Sequence, residues 1–379
     1  MNTRIRLLSA LAATLVLAAG LTPPNAVAGP AHGLAPIART MPGASSAYAY
    51  DITAGRVLLN RRGTVKRILA SNAKLYTTAA ALDRYGEGER FITALWTDGV
   101  IENGELKGNV YLRGGGDPYF GGTGFVKKNF GSGATVEQVA LKTSLVGITR
   151  ITGRVYGDEA VWDNRRGTAK YGFRRSGEIG GQLGALIFNK GLIGGSYQAD
   201  PPRYAAQKMR AALRSAGVSV KGGTGVGETP AGSRMLAFVE SLPLASLARQ
   251  MNKPSNNYIA EMLLKGLGMP VEAVGGGETT AAGETTAGGA SAATDPVLTG
   301  GRAATTRAGA SSARRFAAGV GSRVSLGDGS GLSRGDRASP REVVDLLRAM
   351  QQRRDYTTFS LSLPIPGVDG TLKGRMRGV

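Results

Sequence analysis

The 379-residue sequence has no cysteine and a single histidine, and both absences exclude whole classes of chemistry. Without cysteine the chain forms no disulfide and no thiolate nucleophile, so packing alone must stabilise it. The one histidine, His32, lies in a Gly- and Pro-rich stretch near the N-terminus, a poor position for a catalytic base. The sequence therefore argues against a Ser-His-Asp triad and against a zinc site of the His-Glu-x-x-His type. A hydrolase built from this chain must use carboxylates, or a lysine as the base.

Long hydrophobic runs are also absent, except for one at the N-terminus. Arg4 and Arg6 precede the apolar stretch 7–21, and Ala-Val-Ala at 26–28 supplies the small-x-small pattern at which a secretory leader is cleaved. The apolar stretch is shorter than the ~20 residues that cross a bilayer as a helix. We expect residues 1–28 to be a signal peptide and the mature protein to be exported to the cell wall or periplasm. A retained membrane anchor is the alternative.

Acidic residues are few relative to basic ones, 27 against 47, which gives a formal net charge of +20. Subtracting Arg4 and Arg6 with the leader leaves +18. An exported protein with this charge is attracted to anionic wall polymers and lipid headgroups. The basic residues are scattered and not clustered with aromatic residues, which argues against a nucleic-acid partner. Solubility, together with a genome that favours Arg, Ala and Gly codons, explains the charge equally well.

The pattern of apolar residues predicts an α/β protein. Residues 47–51 and 57–60 predict a β-hairpin, and Leu75, Ala79 and Leu82 share one face of a helix predicted over 71–85. After residue 89 the chain changes to short strands and glycine turns, which indicates an inserted domain. Strands are predicted at 91–96, 108–113 and 151–157, and helices at 135–146 and 203–216.

Helical patterns return in the C-terminal part of the chain, at 243–251 and 257–267. The motif Ser-Pro-Arg-Glu at 339–342 is a capping box with proline at the first helical position. Between these patterns, residues 275–312 are mostly Gly, Ala, Thr, Ser and Glu, a composition that predicts a flexible insertion. The predicted division is a signal peptide at 1–28, one domain in two parts at 29–88 and 235–379, and an inserted domain at 89–234.

The sequence Ser71-Asn72-Ala73-Lys74 is a candidate catalytic motif. A serine and a lysine at i, i+3 share one face of a helix, and a helix N-terminus favours negative charge that develops there. A lysine packed among apolar groups has a lowered pKa and can then take the serine proton. About one Ser-x-x-Lys pattern is expected by chance in a chain this long. The competing interpretation is a helix cap followed by a surface lysine.

A second candidate motif, Ser255-Asn256-Asn257, precedes the helix predicted at 257–267. A serine and an amide at i, i+2 in such a loop can relay a proton and hold a carbonyl group. The competing interpretation is an ordinary helix cap, since serine and asparagine are favoured there for local reasons.

Taken in chain order, these motifs resemble the low-molecular-mass penicillin-binding proteins of the D-alanyl-D-alanine carboxypeptidase/endopeptidase family, peptidase family S13. Each fragment alone is weak, but the number of matches in the right order makes the resemblance specific, and it spans nearly the whole mature chain. The matching segments are LASNAKL at 69–75, YLRGGGDP at 111–118, FNKG at 188–191, DPPRYAA at 200–206, MNKPSNN at 251–257, DGSGLS at 328–333 and GVDGTL at 367–372.

The resemblance implies a serine penicillin-recognising fold of the β-lactamase/transpeptidase type, an antiparallel sheet with helices on both faces, interrupted by the inserted domain. It implies that Ser71 attacks the carbonyl between the two terminal D-alanines of a peptidoglycan stem peptide, with Lys74 as the base. Ser255 would pass the proton to the departing amine, and Asn257 would orient the substrate amide. β-Lactam antibiotics would be trapped at Ser71, and neither a cofactor nor a metal is implied.

The sequence departs from the family pattern in two places. Family members commonly carry two additional domains, but only residues 191–199 separate two matching segments here, so the smaller domain is expected to be missing. Family members also carry a Lys-Thr-Gly element on a strand that flanks the site and supplies the second oxyanion-hole amide. This sequence contains no Lys-[Ser/Thr]-Gly triplet. We therefore expect the C-terminal strands to be missing.

Three functions stay open at the level of sequence. The leading one is a D-alanyl-D-alanine carboxypeptidase, with endopeptidase activity on cross-links as an extension. A wall-binding protein that keeps the fold without turnover is the second, because the third motif is missing. A β-lactamase is the third; it uses the same serine and lysine but needs a group that activates water for deacylation, and no residue stands out for that role.

Overall fold

The computed structural model describes residues 30–270 and 303–375. The predicted leader, 1–28, lies outside the described residues. The helices of these ranges are α1 (Pro30–Thr40), α2 (Ala73–Tyr85), α3 (Thr123–Phe130), α4 (Val136–Leu145), α5 (Pro201–Ser215), α6 (Leu244–Asn252), α7 (Asn257–Gly266), α8 (Thr306–Gly319), α9 (Pro340–Gln351) and α10 (Tyr356–Ser362). None of the helices in the described ranges is long and apolar enough to cross a membrane.

The strands of the described ranges fall into five sheets, three of them with only two strands. The strands are β1 (Ala47–Asp51), β2 (Arg56–Arg61), β3 (Arg67–Ile68), β4 (Ile92–Thr97), β5 (Val100–Glu102), β6 (Glu105–Lys107), β7 (Val110–Gly114), β8 (Arg150–Ile151), β9 (Val155–Asp158), β10 (Leu192–Ile193), β11 (Ser196–Tyr197), β12 (Ser219–Val220), β13 (Thr224–Val226), β14 (Arg234–Glu240) and β15 (Arg337–Ala338).

The central sheet of the region predicted as an insert has five strands in the order β13-β9-β7-β4-β14. It is mixed, because β4 pairs antiparallel with β7 and β14 whereas β7, β9 and β13 run parallel. A four-stranded sheet, β12-β8-β6-β5, lies beside it. Helices α4 and α5 pack against these strands over one hydrophobic core. The sheet continues through β14 to Glu240, six residues past the predicted end of the insert at 234, because β14 buries alternate side chains against β4.

The second core is almost entirely helical. It is built from α2, α6, α7, α8, α9 and α10, with α2 buried along most of its length. The antiparallel sheet predicted for this part is represented in the described residues by the β1–β2 hairpin and by the short antiparallel pair β3–β15. The hairpin contacts α1 through β2 and α9 through β1. The overall class is therefore mixed α/β, with the two cores joined by a third cluster that includes Trp162 and Tyr258.

Helix α7 contributes residues both to the helical core and to the third cluster. All of its residues from Tyr258 to Gly266 are buried. Near its C-terminus the fully buried Lys265 ammonium pairs with the Asp163 carboxylate at 2.6 Å and donates to the Asp163 and Arg165 carbonyls at 2.9 and 2.8 Å. A buried ammonium is tolerated only when its donors are satisfied, so this contact fixes α7 against the inserted region.

Most of the predicted elements are found, with small shifts of their ends. The β1–β2 hairpin and helices α2, α4, α5, α6 and α7 match the predictions. The predicted capping box is also present, because Ser339 Oγ accepts from the Glu342 N–H at 3.2 Å and Glu342 accepts from the Ser339 N–H at 2.7 Å. The strand predicted at 151–157 is instead two strands, β8 and β9, with residues 152–154 between them.

The prediction of a flexible insertion at 275–312 is wrong at its C-terminal end. Helix α8 begins at Thr306, and its Gly309, Ala310 and Ala313 are buried against α2 and α7. The small residues permit this close approach, since a Cβ at Gly309 would overlap the Leu264 carbonyl. The same glycine and alanine content that predicts flexibility here serves tight helix packing. Residues 275–302 lie outside the described residues.

We predict that Gly309→Ala lowers the free energy of unfolding by about 1–3 kcal/mol, because the added methyl group overpacks the contact between α8 and α7. The measurement is the urea midpoint followed by circular dichroism. Gly319→Ala is the matched control on the same helix, because its Cβ would meet no atom within 4 Å. An equal loss of stability in both variants would contradict the packing argument.

Candidate active site

Ser71 lies exposed at the start of the helix that carries the buried Lys74. A single 3₁₀ turn, Ala70–Asn72, leads directly into α2. Ala70 has a positive φ of 46°, a left-handed conformation that costs a non-glycine residue about 1–3 kcal/mol. The preceding N–H of Leu69 donates to the Asp336 carbonyl at 2.9 Å and holds this turn in place. The serine is thus presented at a helix N-terminus on constrained backbone.

The second motif lies in the turn between α6 and α7. Asn256 is the N-cap of α7, because its side chain accepts from the Ile259 N–H at 3.2 Å. Ser255 has a positive φ of 59°. Capping by Asn256 leaves the side chains of Ser255 and Asn257 free to face α2, so the competing interpretation of the motif applies to its middle residue alone.

The structure brings the four predicted residues together. Ser255 Oγ donates to Ser71 Oγ at 2.8 Å, and Lys74 Nζ lies 3.3 Å from Ser71 Oγ. Lys74 Nζ also donates to Asn257 Oδ1 at 2.8 Å. The competing interpretation of the first motif, a surface lysine, is wrong, since the Lys74 side chain is only 2% exposed.

Three acceptors surround the Lys74 amine, namely Ser71 Oγ, Asn257 Oδ1 and the Ser330 carbonyl, which lies 2.8 Å away. Both Asn257 Oδ1 and the Ser330 oxygen are acceptors only, whereas a hydroxyl both donates and accepts. A neutral lysine can therefore keep its two N–H groups on the two carbonyl oxygens and direct its lone pair at the Ser71 hydroxyl. This arrangement suits a general base.

The surroundings of Lys74 favour its neutral amine more than bulk water would. Burial lowers the pKa of Lys74 from 10.5 to about 8, and the nearby carboxylates of Glu261 and Asp328 oppose part of that shift. Desolvation disfavours the charged form of a lysine, which is the physical cause of the lowering. At neutral pH a useful fraction of Lys74 is then unprotonated.

Sequence reasoning missed two backbone groups at the site. The Ser330 carbonyl accepts from Lys74, and the Glu178 carbonyl accepts from Asn257 Nδ2 at 2.9 Å. Side-chain type carries no information about a backbone acceptor, so neither role could be found directly. The Asp-Gly-Ser-Gly stretch at 328–331 held the one usable signal, because closely spaced glycines indicate a tight turn. Gly331 has a φ of +83°, and a Cβ there would overlap the Ala70 carbonyl.

Comparison with known proteins places this geometry in a family context. The model of the D-Ala-D-Ala carboxypeptidase 3 (S13) family matches residues 36–173, 190–286 and 298–379. A D-alanyl-D-alanine carboxypeptidase of Actinomadura sp. (strain R39) is 27% identical, over 88% of this chain and 70% of the relative. The D-alanyl-D-alanine carboxypeptidase DacB of Haemophilus influenzae is 23% identical, over 86% of this chain and 75% of its own length.

The fold agrees with a solved structure. Penicillin binding protein 4 (dacB) from Haemophilus influenzae superposes with a TM-score of 0.67 at 19% identity, and the match covers 90% of this chain and 83% of that protein. The family model covers most of the sequence and includes all four residues of the site. The chain therefore belongs to the D-Ala-D-Ala carboxypeptidase 3 (S13) family.

Proposed function

We propose that this protein is a serine-type D-alanyl-D-alanine carboxypeptidase that works through an acyl-enzyme on Ser71, with endopeptidase activity on cross-linked wall peptides. One observation carries the proposal: Ser71 Oγ contacts both Ser255 Oγ and the buried amine of Lys74, which Asn257 holds. A nucleophile with an adjacent base that a third group orients is the arrangement that covalent catalysis requires. The names of the family and of its relatives support the substrate class.

Acylation begins with proton transfer from Ser71 Oγ to the neutral amine of Lys74. The oxygen attacks the carbonyl carbon between the two terminal D-alanines, and the negative charge develops on the carbonyl oxygen. The helix N-terminus at Ser71 favours that charge. Asn257 Nδ2, which already donates to the Glu178 carbonyl, carries a second N–H that can orient the substrate amide.

The leaving group then needs a proton. Ser255 Oγ, 2.8 Å from Ser71 Oγ, passes its proton to the amine of the departing D-alanine and is reprotonated by Lys74. The C–N bond breaks and the peptide remains as an ester on Ser71. Water hydrolyses the ester, releases the shortened peptide and restores the serine hydroxyl.

β-Lactam antibiotics are proposed as ligands that acylate the same serine and leave it slowly. The Haemophilus influenzae penicillin binding protein 4 has been solved in complex with a β-lactam, which supports this proposal. Export to the wall or periplasm is supported by the leader pattern at 1–28 and by the peptidoglycan substrate class of the family. The net charge of the chain, +20, supports attraction to anionic wall polymers as a further contact.

We predict that fluorescent penicillin labels the wild-type protein stably and that Ser71→Ala abolishes the labelling. The wild type, but not the variant, should also release D-alanine from a peptide ending in D-Ala-D-Ala, measured with D-amino-acid oxidase. Ser144→Ala, on α4 of the inserted region, is the matched control and should label normally.

Equal labelling of Ser71→Ala and wild type would rule out Ser71 as the nucleophile. No labelling of the wild type supports the wall-binding candidate, and rapid turnover of penicillin supports a β-lactamase.

The pH dependence of acylation tests the role of Lys74. Because its pKa is lowered to about 8, the neutral amine is plentiful above that pH and scarce below it. We predict that the acylation rate rises with pH to a plateau above pH 8 and falls about tenfold per pH unit well below it. Lys74→Arg keeps the positive charge but provides no usable base. Its acylation rate should be about 10²–10⁴-fold lower and should no longer rise with pH. If the rate of Lys74→Arg still rises with pH as in the wild type, the base is another group.

A further inference from the structure

A carboxyl group that the mechanism above does not use lies directly behind the site. Glu261 is four residues after Asn257 on α7, so the two side chains share one helix face. Glu261 is fully buried, with 0% of its surface exposed. It is in none of the salt bridges found within residues 30–270 and 303–375. Burying a carboxylate costs several kcal/mol unless hydrogen bonds compensate for the lost water. The hydrogen-bond partners of Glu261 must therefore offset that cost.

The partners of Glu261 are backbone N–H groups of the loop that faces Lys74. The Gly329 N–H donates to both carboxyl oxygens at 3.2 and 3.1 Å, and the Ser330 N–H donates to one of them at 2.9 Å. On its other side Ser330 offers the carbonyl that accepts from Lys74 Nζ at 2.8 Å. Ser330 is thus held by Glu261 through its N–H and holds the lysine through its carbonyl.

Close backbone contacts on two sides restrict the position of the 328–331 loop. A Cβ at Gly329 would overlap the Ala260 carbonyl on α7, and a Cβ at Gly331 would overlap the Ala70 carbonyl next to Ser71. The Asp328 carboxylate closes the turn from within, since it accepts from the Gly331 N–H at 2.8 Å and the Ser333 N–H at 2.7 Å. Glu261 therefore anchors a loop that is wedged between α7 and the nucleophile turn.

Two acidic groups bear on the charge of Lys74, and a third lies behind one of them. Glu261 faces it from α7 and Asp328 from the loop, and both raise the pKa of Lys74 against the effect of burial. Asp336 lies behind Asp328, where its carboxylate accepts from the Gly327 N–H at 2.7 Å. Burial and the charge of Asp328 raise the pKa values of both Glu261 and Asp336. The carboxylate of Glu178 points elsewhere, to Lys170 and Tyr171.

We propose that Glu261 is a positioning residue for acyl transfer: it seats the 328–331 loop so that the Ser330 carbonyl holds Lys74. In its charged form, which the Gly329 and Ser330 N–H groups favour, Glu261 also stabilises the charged form of Lys74. The inference rests on the acyl-enzyme mechanism proposed above. With the Ser330 and Asn257 oxygens both fixed by α7, the lone pair of a neutral Lys74 points at Ser71 Oγ. Loss of the Ser330 contact would leave the amine free to rotate away.

Two substitutions at Glu261 separate the effect of its charge from the effect of its side-chain length. Glu261→Gln keeps the length and removes the charge, so the acidic limb of the penicillin acylation profile should move to lower pH by about one unit. Glu261→Asp keeps the charge but falls short of the loop, so its limb should stay at the wild-type pH. The plateau rate should fall on the order of tenfold to a hundredfold in both variants, because the base is misplaced. Asp117→Asn, another buried carboxyl, is the matched control and should change neither limb nor plateau.

A direct readout keeps this test independent of catalysis. The Lys74 amine can be titrated by heteronuclear NMR in protein with isotope-labelled lysine, with its signal assigned by its loss in Lys74→Arg. Glu261→Gln should lower the measured pKa of Lys74 by about one unit relative to wild type. If the wild type is not acylated but this shift is present, the proposed function fails while the coupling between Glu261 and Lys74 holds.

Two results would overturn the inference. An unchanged Lys74 pKa and an unchanged limb in Glu261→Gln would remove the electrostatic role and leave Glu261 a purely structural residue. An unchanged plateau in Glu261→Asp would remove the positioning role, and this arm decides the question if Glu261→Gln does not fold. Folding of each variant is checked by circular dichroism and by its urea midpoint.

Discussion

The burial of the Lys74 amine is the constraint on which the rest of the site depends. A buried amine must find acceptors for its donors, and a charged one costs several kcal/mol if it does not. Two of its acceptors come from other parts of the chain, Asn257 Oδ1 on α7 and the Ser330 carbonyl. Satisfying one side chain therefore fixes the relative positions of three segments.

Close packing of backbone makes that arrangement rigid. Gly309 brings α8 against the Leu264 carbonyl on α7, and Gly331 brings its loop against the Ala70 carbonyl beside Ser71. A side chain at either position would separate the elements that hold the lysine. The left-handed backbone at Ala70 and Ser255 is maintained by the same surroundings, since isolated non-glycine residues seldom adopt it.

Sequence reasoning named four side chains that the structure brings together in the candidate site, and it missed the backbone groups beside them. Ser71, Lys74, Ser255 and Asn257 belong to motifs in which residue type decides the chemistry. The Ser330 and Glu178 carbonyls do not, because every residue has one, and only three-dimensional packing selects which carbonyl faces the site. Periodicity predicted the helices in which apolar residues repeat along one face, such as α2 and α6. It failed for α8, because glycine and alanine predict flexibility in a loop and close approach in a packed helix alike.

The separation of the site residues along the chain governs when the site can form. Lys74 meets partners that are 183 and 256 residues away in sequence. Contacts of such long range require large loops to close first, and proteins dominated by them fold slowly. The sheet of the inserted region has a core of its own and can condense before those loops close. A half-folded chain in which those segments have not met therefore lacks the contacts that hold the Lys74 amine.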